Sequence, residues 1–100
     1  MNPRARRRVR GELAAYKREH GCADCPPGVE HDTDALQFDH REERDKRFNI
    51  SAFWQHSVGE VWAEVANCDV RCANHHAMRT AARNRLMNAG ELPRPNASVE

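Results

Sequence analysis

The sequence has no long run of hydrophobic residues. Its apolar segments fall far short of the roughly 18 residues that a transmembrane helix requires. The arginine-rich N-terminus has no hydrophobic region of the kind that a secretory signal carries. A mitochondrial presequence is an alternative use for such a terminus, but closely spaced Cys and His residues favour a reduced compartment and a bound metal. We therefore expect a cytoplasmic protein with no membrane partner.

Apolar residues are also scarce overall. Hydrophobic residues make up 39% of the chain, charged residues 31%, and the mean hydropathy is -0.93. One hundred residues correspond to one small domain, which buries only about two thirds of its unfolded surface. Small polar chains usually need a staple, either disulfides or a metal. The candidates for such a staple are the four cysteines, Cys22, Cys25, Cys68 and Cys72.

Positive charge is concentrated at the N-terminus, although the whole chain carries only +1. Residues 1–20 contain seven Lys/Arg and two Glu, whereas the other eighty contain nine Lys/Arg and thirteen Asp/Glu. Val9, Leu13 and Tyr16 recur at helical spacing, which predicts a basic helix that ends near Gly21. Such an arm suits a polyanionic partner. The alternative is a solvated, partly disordered tail.

The middle of the chain predicts short elements. Residues 35–40 alternate between apolar and polar side chains, with Leu36 and Phe38 on one face, which is typical of a half-buried strand. Residues 41–49 are highly charged and predict an exposed loop. A short helix is expected from Ser51 to Trp54. The capping-box pattern Ser57-Val-Gly-Glu60 opens a second helix. Trp54 and Trp62 are expected in the core rather than as platforms for bases.

The end of the chain predicts a second strand at 67–71 and a last helix at 75–88. The buried face of that helix is expected to carry Met78, Ala82 and Leu86. The predicted organisation is a basic arm at 1–20, one domain at 21–89 and a disordered tail at 90–100. There is no internal repeat.

Two cysteine-containing pairs have the spacing of a zinc site. Cys22-x-x-Cys25 lies near the start and Cys72-x-x-His75 near the end, and four such ligands suit tetrahedral zinc. A redox pair would need a thioredoxin-like βαβ context, which the pattern lacks, and a local disulfide would be reduced in the cytoplasm. Cys68 competes with His75 as fourth ligand, but an extended 68–72 segment would hold Cys68 about 13 Å from Cys72. Cys68 is therefore interpreted as a buried small hydrophobe.

A second set of residues has the chemistry of a catalytic site. Asp39 and His40 end the first predicted strand, and His76 opens the last helix. Because neighbouring residues on a strand point in opposite directions, Asp39 and His40 serve different roles. Asp39 and His76 are predicted to bind a divalent ion such as Mg²⁺ or Mn²⁺, and His40 to act as a general base. Each residue alone has an ordinary explanation, a surface carboxylate or a satisfied histidine.

These residues together resemble the HNH (ββα-metal) endonucleases, particularly the small zinc-stapled forms of phages and prophages. The resemblance covers about residues 20–82, and the segments at 48–51 and 70–74 share it. The implied fold is α+β, a ββα-metal core with a structural zinc knuckle, flanked by the N-terminal basic helix and inserted short helices. The motifs that carry it are Cys22-x-x-Cys25, Asp39-His40, Asn67 and Cys72-x-x-His75-His76.

The resemblance implies a function. The three residues that name the family map onto His40, Asn67 and His76, and the implied activity is metal-dependent hydrolysis of DNA. His40 would activate water, the ion would stabilise the phosphate and the leaving oxygen, and Asn67 would hold His40 or its loop in place. Double-stranded DNA is the implied partner, bound along its minor groove, and phage terminase or packaging proteins are suggested as further partners. The oligomeric state is left open.

Two departures from the family pattern concern metal ligands. The second zinc pair is usually C-x-x-C, whereas here it ends in His75, which is also an acceptable zinc ligand. Some members carry a further His or Asn one turn after the last motif histidine, where this chain has Thr80. Thr80 would be at best a weak or water-mediated ligand.

Charge alone, rather than the motif, selects the residues predicted to contact DNA phosphates. They are Arg6, Arg7, Arg8, Arg10, Arg71, Arg79 and Arg83. His20, His31 and His56 are assigned no role. Two other functions remain open: a non-catalytic zinc-stapled nucleic-acid-binding module, which would not need Asp39, His40 and His76 together, and a thiol redox protein using Cys22 and Cys25.

Overall fold

The computed structural model describes residues 1–90, which contain α-helices and a small antiparallel sheet. The α+β class predicted from the sequence is confirmed. The order of helices and strands is α1 (Pro3–His20), β1 (Leu36–His40), α2 (Val58–Val65), β2 (Cys68–Cys72) and α3 (Ala73–Asn88). Short 3₁₀ helices lie at Thr33–Ala35, Glu43–Asp45 and Ile50–Gln55.

The basic N-terminal segment forms the long helix α1 and contributes to the core. The side chain of Asn2 accepts a hydrogen bond from an N–H of the first turn, and Gly21 ends the helix with a positive φ of 64°. Val9 and Leu13 are buried in the same cluster as Phe53. This helix therefore packs onto the rest of the described domain through the apolar stripe that its sequence predicted.

The two strands pair antiparallel with one register throughout. The paired residues are Leu36 with Cys72, Gln37 with Arg71, Phe38 with Val70, Asp39 with Asp69, and His40 with Cys68. Because side chains alternate along a strand, the apolar members and His40 share one face. Asp39, Asp69 and Arg71 share the other. The sheet thus separates two potential catalytic residues, Asp39 and His40, onto opposite faces.

The core consists of two clusters of mostly small side chains. One cluster joins the helices, and the other lies between the sheet and the cysteines of the 22–25 loop. The first contains Val9, Leu13, Ile50, Phe53, Val61, Val65 and Cys68, with Trp54 and Trp62 packed against it. The second contains Leu36, Val70 and Cys72. The core location predicted for both tryptophans is confirmed, although each is only half-buried.

The last helix turns an unexpected face toward the sheet. Met78 is 57% exposed and Leu86 39% exposed, so the prediction that they are buried is wrong. The partly buried positions include His76, Arg79 and Thr80. These polar residues face Asp39 or the cleft described below. The prediction failed because it relied on the spacing of apolar residues, whereas charged and polar contacts determine which face of α3 is buried.

Smaller differences concern the ends of the elements. The second strand is Cys68–Cys72 rather than 67–71, and α3 begins at Ala73 rather than residue 75. The segment after Asn49 forms a 3₁₀ helix in place of the expected helix from Ser51. Of the predicted tail at 90–100, residues 91–100 lie outside the described part of the chain. Among the described helices, none has the length and hydrophobicity needed to cross a membrane.

The capping box of α2 provides a test of the fold. The Ser57 hydroxyl accepts from the backbone N–H of Glu60, and the Glu60 carboxylate accepts from the backbone N–H of Ser57. We expect Ser57→Ala to lower the free energy of unfolding by about 1 kcal/mol, because an N–H of the first turn loses its acceptor. Urea denaturation followed by circular dichroism measures the change.

The matched control is Ser51→Ala. Ser51 is exposed and does not cap the 3₁₀ helix, whose N-cap residue is Asn49. The same substitution should therefore leave stability nearly unchanged. Equal losses for the two variants would contradict a specific role of the capping box.

Candidate functional site

Four side chains from the two ends of the domain converge on one point. The ligand atoms of Cys22, Cys25, Cys72 and His75 all lie within 4.8 Å of one another. The Nδ1 atom of His75 is 3.5, 3.4 and 3.2 Å from the sulfurs of Cys22, Cys25 and Cys72. Ligand atoms around a tetrahedral zinc ion lie roughly 3.5–3.8 Å apart, given metal–ligand bonds of about 2.0–2.3 Å. The spacing therefore fits a Cys₃His zinc site.

Local structure positions each pair of ligands. The 22–25 loop follows Gly21 directly after α1, and the backbone N–H of Ala23 donates to the carbonyl of Val70 at 2.8 Å, which anchors the loop to β2. Cys72 is both the last residue of β2 and the N-cap residue of α3, so His75 falls in the first helical turn. The abrupt strand-to-helix transition brings these two side chains toward the loop.

The thiols of the cluster differ in their tendency to ionise. Burial opposes ionisation of Cys22, but backbone N–H groups of Cys72 and Asp24 outweigh it and lower the pKa of Cys22 to about 6. Burial and the neighbouring thiols raise the pKa of Cys25 to about 12. Hydrogen bonding to Cys72 raises the pKa of His75. Because zinc binds thiolate and neutral imidazole, metal binding would displace the protons held at Cys25 and His75.

Cys68 lies outside this cluster. Its side chain is in the core, its sulfur donates to the carbonyl of Glu64 at 3.4 Å, and burial raises its pKa to about 12. The extended strand between Cys68 and Cys72 separates them, as expected. The cluster of candidate ligands thus contains His75 and not Cys68, which is buried in the core.

His31, to which the sequence assigned no role, lies beside the cluster. Its Nε2 atom is 3.3 Å from the Cys25 sulfur. A ring N–H at this distance can donate to a metal-bound thiolate and so support the ligand from outside the ion's own shell. In the sequence, the Pro-Pro-Gly segment after Cys25 indicates a turn, which the hydrogen bond from the Val29 N–H to the Pro26 carbonyl closes. Such a turn brings His31 back toward the 22–25 loop.

The zinc site predicts a sharp difference between cysteines. We expect Cys25→Ala to lose bound zinc and the cooperative melting transition, because zinc binding in small domains contributes about 10–16 kcal/mol and whole domains are stable by only about 5–15 kcal/mol. Metal content by mass spectrometry and thermal melting by circular dichroism measure both effects.

Two variants serve as controls. Cys68→Ala should retain one zinc ion per chain despite some loss of core packing, and His75→Cys should also retain zinc because it restores a sulfur ligand. Zinc retained by Cys25→Ala, or lost from Cys68→Ala, would contradict the assigned ligand set.

A cleft beside the sheet is lined by two of the three residues predicted to be catalytic, His40 and His76, and not by the third, Asn67. It has a volume of about 700 Å³ and is lined by Asp39, His40, His76 and Thr80. The end of β1 supplies the first two of these residues and the first half of α3 the others. Four basic side chains also line the cleft: Arg10, Lys17, Lys46 and Arg83. The basic helix α1 thus forms one wall of the same cleft.

Within the cleft, Asp39 and His76 face each other across a short gap. Asp39 Oδ1 lies 4.0 Å from His76 Nδ1, which is buried and has no hydrogen-bond partner among the described residues. The other carboxylate oxygen of Asp39 accepts from Arg71 at 3.1 Å and lies 3.5 Å from Nε of Arg79. One oxygen is therefore held by arginine while the other faces an unpartnered ring nitrogen.

Arg71 does not have the position expected of a phosphate contact. It is only 5% exposed and binds three carboxylates: Asp24 at 2.8 Å, and Asp39 and Asp69 at 3.1 Å each. The prediction that Arg71 contacts DNA is corrected accordingly. The pairing of β1 with β2 placed Arg71 among acidic neighbours, which its sequence context did not indicate. Because Asp24 belongs to the 22–25 loop, Arg71 links the zinc cluster directly to Asp39.

The sequence also missed Glu64, which binds His40. Glu64 is 1% exposed, and its Oε2 atom lies 2.8 Å from His40 Nε2 and 2.8 Å from the backbone nitrogen of Arg47. Burial opposes its charge, but hydrogen bonds from Arg47 and His40 lower its pKa below the usual value. Glu64 falls three residues after Val61 and just before Val65, on the buried face of α2. This spacing from Val61 and Val65 was the signal in the sequence that Glu64 is buried.

Thr80 lines the cleft, whereas Asn67 does not. The backbone carbonyl of Asn67 accepts from the backbone N–H of Arg41, the residue after His40, at 3.0 Å. This contact holds the end of β1, whereas the His40 ring is bound by Glu64. Thr80 lines the cleft one turn beyond His76.

The remaining arginines of the predicted DNA-binding set differ in exposure. Arg7 and Arg8 are exposed, and Arg10 and Arg83 line the cleft. Arg83 and two others, Arg6 and Arg79, also contact protein groups. Arg6 stacks over the Trp54 ring, Arg79 donates to the carbonyl of Arg41 at 2.6 Å, and Arg83 pairs with Glu43.

The buried arginine network gives a further prediction. We expect Arg71→Met to lower the free energy of unfolding by about 3–5 kcal/mol, because Asp39 would be left buried beside two other carboxylates without its main cation. Urea denaturation measures the loss. The control is Arg8→Met, which removes an exposed pair with Glu12 and should change stability far less. Similar losses in both variants would show that Arg71 contributes no more than a surface charge.

No family model, curated protein or solved structure matches this chain. The function must therefore be inferred from the site geometry together with the motifs of the sequence.

Proposed function

We propose that this chain is a zinc-stabilised, divalent-metal-dependent endonuclease of the ββα-metal (HNH) type that hydrolyses phosphodiester bonds of DNA. The observation that carries the proposal is the cleft whose lining includes Asp39, His40 and His76, at the end of β1 and the start of α3. The order strand, strand, helix and the placement of these residues on it agree with the resemblance in the sequence.

One residue at the end of β1 and one near the start of α3 have side chains suited to binding a divalent ion. Asp39 Oδ1 and His76 Nδ1 are 4.0 Å apart, and the buried ring nitrogen lacks any partner in the described chain. A carboxylate oxygen and an imidazole nitrogen are suitable ligands for Mn²⁺, and the carboxylate for Mg²⁺. Such an ion would supply Lewis-acid stabilisation of the phosphate and of the leaving oxygen.

The chain's own side chains account for the other requirements. His40 lines the cleft beside Asp39 and, when neutral, can take a proton from the attacking water, a contribution of about 10²–10⁴-fold to the rate. Arg10, Lys17 and Lys46 line the same cleft and can contact phosphate oxygens. Since these cations recognise the backbone rather than bases, we expect binding that depends strongly on salt and weakly on sequence.

A second candidate is the non-catalytic zinc-stapled nucleic-acid-binding module. One observation favours it: the carboxylate of Asp39 already has two guanidinium groups, Arg71 and Arg79, within 3.5 Å. Their positive charge disfavours a cation at the same carboxylate. The two candidates differ in one measurable respect, because only the nuclease requires His40 and His76 for more than folding.

Plasmid nicking by the zinc-loaded protein tests the proposed activity. We expect cleavage with added Mg²⁺ or Mn²⁺ and none without an added ion. Omitting the ion, rather than adding a chelator, leaves the zinc in place. His40→Ala should reduce nicking by about 10²–10⁴-fold because the proton acceptor is lost, while zinc content and DNA binding persist. His76→Ala should raise the concentration of Mn²⁺ required.

His20→Ala is the matched control. His20 is exposed and stacks on Tyr16 at the end of α1, away from the residues that line the cleft. Its loss should leave nicking unchanged. DNA binding without cleavage under all ion conditions would reject the nuclease and favour the binding module. Normal nicking by His40→Ala would reject His40 as the base.

A further inference from the structure

We infer that Glu64 orients the His40 ring so that Nδ1, rather than Nε2, accepts the proton from water. Glu64 is then a positioning residue that acts through His40. This inference rests on the proposed function for the role of His40 as a base. It goes beyond it by assigning the reacting atom and by adding a residue that neither the motifs nor the charge pattern indicated.

The hydrogen bonds of Glu64 determine which ring nitrogen carries hydrogen. The carboxylate lies within the core, where Oε2 is 2.8 Å from His40 Nε2 and 2.8 Å from the backbone nitrogen of Arg47. The backbone N–H of Arg47 donates to it and favours the ionised form, in agreement with the lowered pKa of Glu64. An ionised carboxylate only accepts hydrogen bonds. Nε2 of His40 must therefore be the donor.

That assignment leaves Nδ1 as the basic atom of a neutral ring. A neutral imidazole carries hydrogen on one nitrogen and a lone pair on the other. Within the described chain, the hydrogen bond found for the His40 ring is made through Nε2. His40 also lines the cleft beside Asp39 and His76. With Nε2 held by Glu64, Nδ1 is the ring nitrogen left to accept a proton.

The same contact would support the ring during the reaction. One O–H bond of water breaks as its proton moves to Nδ1, and the water oxygen uses its freed electron pair to bond to phosphorus. The bond from phosphorus to the leaving oxygen then breaks, and that oxygen takes a proton from solvent. The ring becomes an imidazolium whose new charge lies next to the Glu64 carboxylate. In a buried setting this pairing is stronger than in water.

Nitrogen NMR of the zinc-loaded wild-type chain tests the tautomer directly. With ¹⁵N-labelled histidine, two-bond proton–nitrogen correlations distinguish the two tautomers, and comparison with His40→Ala assigns the signals. At a pH where the ring is neutral, we expect hydrogen on Nε2 and a lone pair on Nδ1. Hydrogen on Nδ1 would overturn the inference without bearing on whether the protein cleaves DNA.

Glu64→Gln tests the contribution to the reaction. An amide can also donate, so the tautomer should become mixed, and we expect nicking to fall by about 10- to 100-fold, as for other carboxylates that support a functional histidine. DNA affinity should not change. Zinc content and circular dichroism report whether the variant is folded. If it is not folded, the NMR measurement of the His40 tautomer in the wild-type chain remains the test of the inference.

Glu19→Gln provides the matched control, because Glu19 is exposed on α1. It should preserve both the tautomer and the nicking rate. A folded Glu64→Gln variant that nicks at the wild-type rate, while His40→Ala does not, would overturn the role of Glu64 and leave the nuclease intact. Absence of nicking by the wild-type protein would instead reject the proposed function and, with it, the proton-accepting role of Nδ1.

Discussion

The convergence of Cys22, Cys25, Cys72 and His75 is the constraint on which the rest of this structure depends. The core alone is modest, since apart from Phe53 its buried apolar side chains are aliphatic residues and cysteines of small or medium size. Burial of such small groups contributes about 1.5–3 kcal/mol for each aliphatic side chain, against a conformational entropy cost that every ordered residue adds. A metal ion at the cluster would join the loop after α1 to the start of α3 and offset this deficit.

The same junction that supplies zinc ligands also builds the cleft. Six consecutive residues, 71–76, include the guanidinium that holds Asp39, two candidate zinc ligands and the histidine that faces Asp39. Arg71 reaches both Asp24 in the zinc loop and Asp39 in the cleft. A displacement of the zinc loop would therefore disturb the carboxylate of Asp39 through a single side chain. Stability and the candidate chemistry share one short segment of chain.

Two buried polar pairs lie on opposite faces of the sheet, Asp39 with Arg71 and His40 with Glu64. Removing such groups from water costs several kcal/mol for each ion, which their mutual attraction only partly offsets. A domain with so few apolar residues would gain more from hydrophobic pairs at these positions. The arrangement is better explained by geometry, because hydrogen-bonded buried charges hold a carboxylate and an imidazole in defined orientations.

The sequence by itself determined most of the elements and the candidate metal ligands. The stripe of α1, the capping box of α2, the strand ending in Asp39 and His40, and the two zinc pairs all depend on spacing within a few residues, which local periodicity expresses. The boundaries of β2 and α3 were displaced by one or two residues, because the abrupt strand-to-helix transition at Cys72 has no strong local signal.

Only the tertiary structure decided how the polar side chains are paired. Arg71 was predicted to contact phosphate and Glu64 was assigned no role, yet each binds a residue more than twenty positions away in the chain. Met78 and Leu86 were predicted on the buried face of α3, but both are exposed. Polar contacts with Asp39 instead bury another face of the helix against the sheet. Partners such as these are set by the register of β1 with β2 and by the docking of α2 and α3. Those are properties of the assembled chain, and a pattern of neighbouring residues does not contain them.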